Sequence, residues 1–131
     1  MLPFIDANIF VYRYSDDPRR ERARDIIGAG WQTSVQALNE FALTGRRKLK
    51  LDWREIEDAI ADFLQMEQQV HPITLETHLN AVRVAQRYRL RFYDSVMLAA
   101  ALLAGADTLL SEDMHAGLVI ENQLTIVNPF V

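Results

Sequence analysis

The chain contains no cysteine. Disulfides, thiolate nucleophiles and thiolate-bound metals are therefore excluded. Histidine is also scarce: His71, His78 and His115 are widely spaced and form no H-x-x-x-H pair, which argues against a zinc site. Only two lysines occur, Lys48 and Lys50. The longest apolar stretch, Val96 to Ala104, is too short to span a bilayer, so no membrane association is expected. There is no internal repeat, low-complexity tract or Pro/Gly/Ser linker. The N-terminus lacks a basic start and carries Pro3 and Asp6, which is unlike a secretion signal, so a cytoplasmic location is the default expectation.

What remains is a chain of 131 residues, 50% hydrophobic and 24% charged. That length and composition predict one globular domain over residues 1–131 with a substantial core. The net charge of −4 by itself argues against a nucleic-acid binder. The distribution of charge says more. Twelve of the fourteen basic residues fall into three groups: Arg19, Arg20, Arg22 and Arg24; Arg46, Arg47, Lys48 and Lys50; Arg83, Arg87, Arg89 and Arg91. Clustered arginine suits phosphate contact, because the guanidinium fork matches phosphate oxygens. Solvated helix faces and helix C-terminal charges are the simpler alternative.

Apolar runs alternate with helical patterns. Leu2 to Ile5, Trp31 to Thr33, Val70 to Ile73, Thr108 to Leu110 and Leu124 to Val127 read as short strands. A helical turn is expected at Asn8–Tyr14, and helices from Pro18 to about Ile27, from the Ser34 cap to a C-cap at Gly45, from the Asp52 cap to about Met66, from Thr74 to about Arg89, and from Asp94 to Ala104. The last is almost wholly apolar and should be central. Strands alternating with helices predict a parallel α/β sandwich, whose strand order the pattern does not reveal.

Four carboxylates stand beside these apolar runs. Asp6 and Asp113 follow predicted strands, where ligands of open α/β sheets gather. Asp94 opens the apolar helix, and Glu40 lies about two turns into its own helix. Each has a simpler explanation in isolation: an N-cap for Asp94, an Asx-turn for Asp6, a pair with Arg46 or Arg47 for Glu40, a surface turn for Asp113. Taken jointly, acids converging near an interior need a compensating charge. A hard divalent cation such as Mg²⁺ or Mn²⁺ suits an all-oxygen donor set. Two such ions clamp both oxygens of an in-line phosphodiester displacement.

Phe4-Ile5-Asp6-Ala7-Asn8, Asn39-Glu40-Phe41, Tyr93-Asp94-Ser95 before the alanine-rich helix, and Leu110-Ser111-Glu112-Asp113 together resemble a PIN domain, in order and over nearly the whole chain. The length resembles the VapC toxins, the ribonuclease halves of toxin–antitoxin pairs. The resemblance implies a three-layer α/β sandwich, a central parallel sheet flanked by helices. It implies a Mg²⁺- or Mn²⁺-dependent endoribonuclease in which Asp6 and Asp94 are the principal metal ligands, Glu40 completes the acidic pocket, and Asp113 binds a second ion or positions water. Asn8 and Ser111 match accessory polar positions, with Ser111 where the family often has threonine. Asp113 is preferred to Glu112 because it lies two residues from Ser111. RNA phosphates are expected at Arg46, Arg47 and Lys48. Relatives form homodimers and bind an antitoxin that covers the active site, so both partners are expected. A PIN-like protein-binding module without catalysis is the alternative. A phosphotransfer domain built on Asp6 is a more distant one, since both lysines lie in a basic run between predicted helices.

Overall fold

The computed structural model describes residues 1–131. In chain order the elements are β1 (Phe4–Ile5), α1 (Ala7–Arg13), α2 (Arg20–Gly28), β2 (Trp31–Ser34), α3 (Val35–Arg47), α4 (Trp53–Phe63), β3 (Gln68–His71), α5 (Leu75–Tyr88), α6 (Phe92–Leu103), β4 (Thr108–Leu110), β5 (Val119–Ile120) and β6 (Leu124–Val127). The strands form one sheet in the order β3-β2-β1-β4-β6-β5. All pairings are parallel except β5 with β6. The predicted sandwich is therefore present, with an antiparallel edge strand that the pattern did not suggest. No helix is long and apolar enough to cross a membrane.

The sheet alternates its side chains between two helical layers. Trp31 of β2 meets Phe10 of α1 edge-on at 5.2 Å, and Phe10 also touches Phe63 of α4 at 4.5 Å. Phe41 of α3 closes the group against Phe63 at 5.2 Å. Ser34, at the other end of β2, turns to the opposite layer and contacts Met97 of α6. Both layers are needed: Ser95 through Ala101 of α6 are all buried, as the apolar run predicted.

Several boundaries differ from expectation, each for a local reason. Asp17 accepts the Arg19 N–H at 2.8 Å, so a turn precedes α2 and the helix starts at Arg20 rather than Pro18. Gly45 lies inside α3 with Leu51 and Ile56 packed over it, so α3 continues to Arg47. β3 stops at His71, because Pro72 cannot donate to the ladder. The α6 helix begins two residues early, at Phe92, with Arg91 at the N-cap, and Asp94 sits within its first turn rather than capping it. The Asp52 cap is present and reciprocal with Glu55, a capping box.

Phe10 is fully buried and joins α1, β2 and α4. Chemical denaturation of Phe10→Ala should show a loss of about 3–5 kcal/mol. Asp52→Ala, which removes one exposed cap, should cost about 1 kcal/mol.

Candidate active site

The strand order places the site. From β1 the sheet grows through β2 to β3 on one side, and through β4 on the other. That reversal leaves a crevice beyond the carboxyl ends of β1 and β4. Asp6 follows β1 and Ser111 follows β4, and the two strands pair directly. The Asp6 backbone N–H donates to Leu110 O at 3.0 Å, continuing the ladder to the lip of the crevice.

Asp6 is the N-cap of α1, and its Oδ1 accepts the Ala7 N–H at 2.8 Å. Its Oδ2 accepts the Ser111 hydroxyl at 2.7 Å and the Asn8 amide at 3.2 Å. Asn8 Nδ2 also lies 3.2 Å from Ser111 Oγ and 3.3 Å from Asp113 Oδ2. Asn8 thus bridges the loops after β1 and β4, although 105 residues separate it from Asp113. Asp113 lines the crevice. Glu112 points away, accepting from the Tyr12 hydroxyl and pairing with Arg19 at 2.7 Å.

Asp6, Glu40, Asp94 and Asp113 line one cavity of about 610 Å³. Glu40 reaches it from α3, and Asp94 from the first turn of α6. Their charges act on one another. Burial raises the Asp6 carboxyl to about 6 against the favourable bonds from Ser111 and Ala7, and the Asp94 and Asp113 charges add to the rise. Burial also lifts Glu40 to about 7, reinforced by Asp6, Asp94 and Asp113 and opposed by a hydrogen bond from Gln36. Neither Asp6 nor Glu40 has an arginine or lysine at ion-pair distance. Asp94 has Arg91 at 3.3 Å.

No three acidic or histidine side chains gather tightly enough to chelate an ion by themselves. The donor set still fits a hard divalent cation. It is all oxygen, it holds two carboxylates that resist ionisation, and Mg²⁺ usually takes one or two carboxylates and keeps several waters. Asp6 and Asp94, with Glu40 and Asp113 near the same cavity, are the residues that would hold it.

Of the basic residues expected to meet RNA, Lys48 lines the cavity. Arg46 and Arg47 do not. Arg46 lies over the exposed Trp53 ring and donates to Leu51 O. Arg91, Phe92, Tyr93 and Tyr12 also line the cavity; from sequence Arg91 fell in a basic group and Tyr93 in a motif, but none of the four was named as a site residue. The first three immediately precede Asp94, and that adjacency was the available signal. Tyr12 gave none, because its place depends on α1 packing beside the Glu112 loop.

A mostly parallel α/β sheet with a carboxylate-lined crevice at its switch point defines a class of acid-site α/β domains. The chain belongs to the PIN domain family, whose model matches residues 4–116. No curated protein matches it. Three solved structures share the fold. A toxin–antitoxin complex from Klebsiella pneumoniae has a TM-score of 0.71 at 17% identity, covering 98% of each chain. VapBC2 from Rickettsia felis, bound to a promoter DNA fragment, has a TM-score of 0.70 at 13% identity, covering 96% of this chain and 97% of that one. VapC20 from Mycobacterium tuberculosis, described as a sarcin–ricin loop cleaving toxin, has a TM-score of 0.66 at 21% identity, covering 81% and 85%.

The raised acids set a pH signature. A carboxyl with a higher pKa folded than unfolded keeps its proton longer in the folded state. Its contribution to stability is full below about pH 4 and is lost as pH rises from there towards 6 for Asp6 and 7 for Glu40. In EDTA, thermal melts should show wild type losing stability between about pH 4 and pH 7 relative to an Asp6→Asn/Glu40→Gln double variant. Added Mn²⁺ should raise the wild-type melting temperature more at about pH 8 than at about pH 5, because ionised carboxylates are the better ligands.

Proposed function

We propose that this protein is a metal-dependent endoribonuclease, acting as one nuclease domain over residues 1–131. The observation that carries the proposal is the convergence of Asp6, Glu40, Asp94 and Asp113 on one cavity, with no arginine or lysine at ion-pair distance from Asp6 or Glu40. A divalent cation, Mg²⁺ or Mn²⁺, supplies Lewis acidity there: it makes water nucleophilic at neutral pH and neutralises charge on the reacting phosphate.

The chain's own residues do the rest. Asp6 is held in a fixed orientation, with the Ala7 N–H on Oδ1 and the Ser111 hydroxyl and Asn8 amide on Oδ2. Asn8 also holds Asp113 in register with Asp6. Glu40 reaches the same cavity from α3 and would complete the acidic pocket around the ion, directly or through a water. Lys48 and Arg91 at the cavity wall offset the repulsion between the acids and an incoming polyanion. Arg46 and Arg47, exposed near the same helix end, extend that basic surface.

The relatives of known structure support the biological setting. One is described as a sarcin–ricin loop cleaving toxin, one as a toxin–antitoxin complex, and one as VapBC2 bound to a promoter DNA fragment. The protein is accordingly the toxin of a toxin–antitoxin pair, working on RNA in the cytoplasm. It would assemble as a homodimer, with a cognate antitoxin as partner.

Incubation with cellular RNA should give endonucleolytic products that EDTA abolishes and Mn²⁺ restores. Asp6→Asn and Asp94→Asn should each lower cleavage about a hundredfold or more. Full activity in either variant would end the proposal. Ser111→Ala removes the hydroxyl bonded to Asp6, and should weaken Mn²⁺ binding by about 10–100-fold in a calorimetric titration.

A further inference from the structure

The first turn of α6 presents two large aromatic side chains to solvent, ahead of a buried stretch from Ser95 to Ala101. Phe92 is 39% and Tyr93 61% exposed. Both rings line the cavity that holds the acids, and Asp94 is the next residue along the chain. We infer that Phe92 and Tyr93 form a stacking shelf for an unpaired nucleobase of single-stranded RNA, the base adjoining the phosphate that lies at the acids. This inference rests on the nuclease reading above.

Three features carry it. The shelf is rigid: the Ser95 hydroxyl donates to Arg91 O at 2.9 Å, and Phe92 is braced by His78 at 5.6 Å and Tyr93 at 5.7 Å. Both ring contacts are edge-to-face, so neither aromatic is already taken up in a parallel stack. Charge complementarity comes second. Lys48 lines the same cavity with no ion-pair partner, and Arg91, paired with Asp94 at 3.3 Å, lines it too, so the rings share the cavity with two basic side chains. An apolar protein segment has no need of those cations, but a nucleotide needs both a ring surface and a positive group. The third is geometric. In a duplex each base face is covered by its neighbours, whereas a base in a loop or single strand is free to splay onto an aromatic side chain. The shelf therefore selects unpaired RNA and sets which nucleotide sits beside the reacting phosphate.

The test uses a short fluorescein-labelled single-stranded RNA of mixed sequence and the duplex of the same sequence. Binding is read by anisotropy in an Asp6→Asn background, which leaves the RNA uncut. The single strand should bind more tightly than the duplex. Tyr93→Ala should weaken single-strand binding about tenfold, the scale of one lost base–aromatic stack, and Tyr93→Phe should restore it. With abasic sites in the RNA, the parent and the Tyr93→Ala variant should bind equally. Calorimetric Mn²⁺ titration of proteins with Asp6 intact separates the two readings. Normal Mn²⁺ binding together with unchanged RNA affinity in Tyr93→Ala would overturn the shelf alone and leave that surface to a protein partner. Equal affinity for duplex and single strand would also overturn it. Absence of Mn²⁺ binding in the wild type would sink the nuclease reading and the shelf with it.

Discussion

The burial of one carboxylate organises the active end of this molecule. Asp6 ends a strand in the middle of the sheet, 5% exposed, with no arginine or lysine to neutralise it. An ionised acid in that position is tolerable only if hydrogen bonds or a cation replace the water it has lost. The hydrogen bonds are partly present: the Ala7 amide, the Ser111 hydroxyl and the Asn8 amide all reach it. They do not cancel the desolvation, since the carboxyl remains well above its ordinary range. The remaining deficit is what a divalent ion would make good, and each neighbouring acid deepens it.

The scaffold holds those acids together against their repulsion through contacts remote from the charge. Phe10 of α1 lies two residues beyond Asn8 and is locked between Trp31 and Phe63. Phe41, the residue after Glu40, packs against Phe63 and Phe10. Asp94 is carried by a helix whose next seven residues are buried. Each acid is thus adjacent in sequence to an apolar anchor. Hydrophobic burial, the dominant favourable term in folding, places the charges where they would not gather of their own accord. The same device supports the Glu112 side of the loop after β4. There Tyr12 and Arg19 draw the neighbouring acid outward, and Asp113 is left facing the crevice.

Much of this was legible in the chain. The capping residues Ser34, Asp52 and Thr74, the buried helix after Asp94 and the principal strands follow from short-range rules, because caps and periodicity involve residues a few positions apart. The positions of the four acids beside apolar runs were equally local. Boundaries failed where a side chain or a proline intervened, as at Asp17 and Pro72. The apolar helix was expected to open at Asp94, whereas it starts at Phe92, and Asp94 lies in its first turn. Arg91 was grouped with Arg83, Arg87 and Arg89, and its place at the cavity wall became visible only in the fold.

The sequence by itself determined the inventory: an α/β alternation, no sulfur chemistry, few histidines, and four acids each tied to an apolar segment. Only the tertiary structure decided that those acids face one another. That depends on β4 returning to the far side of β1, which places residue 113 beside residue 6. Strand order follows from the best simultaneous burial of two sheet faces, a property of the assembled chain that no stretch of residues encodes alone. The same assembly raised Asp6 and Glu40 above their ordinary range, because desolvation and mutual repulsion exist only once the groups have been brought together.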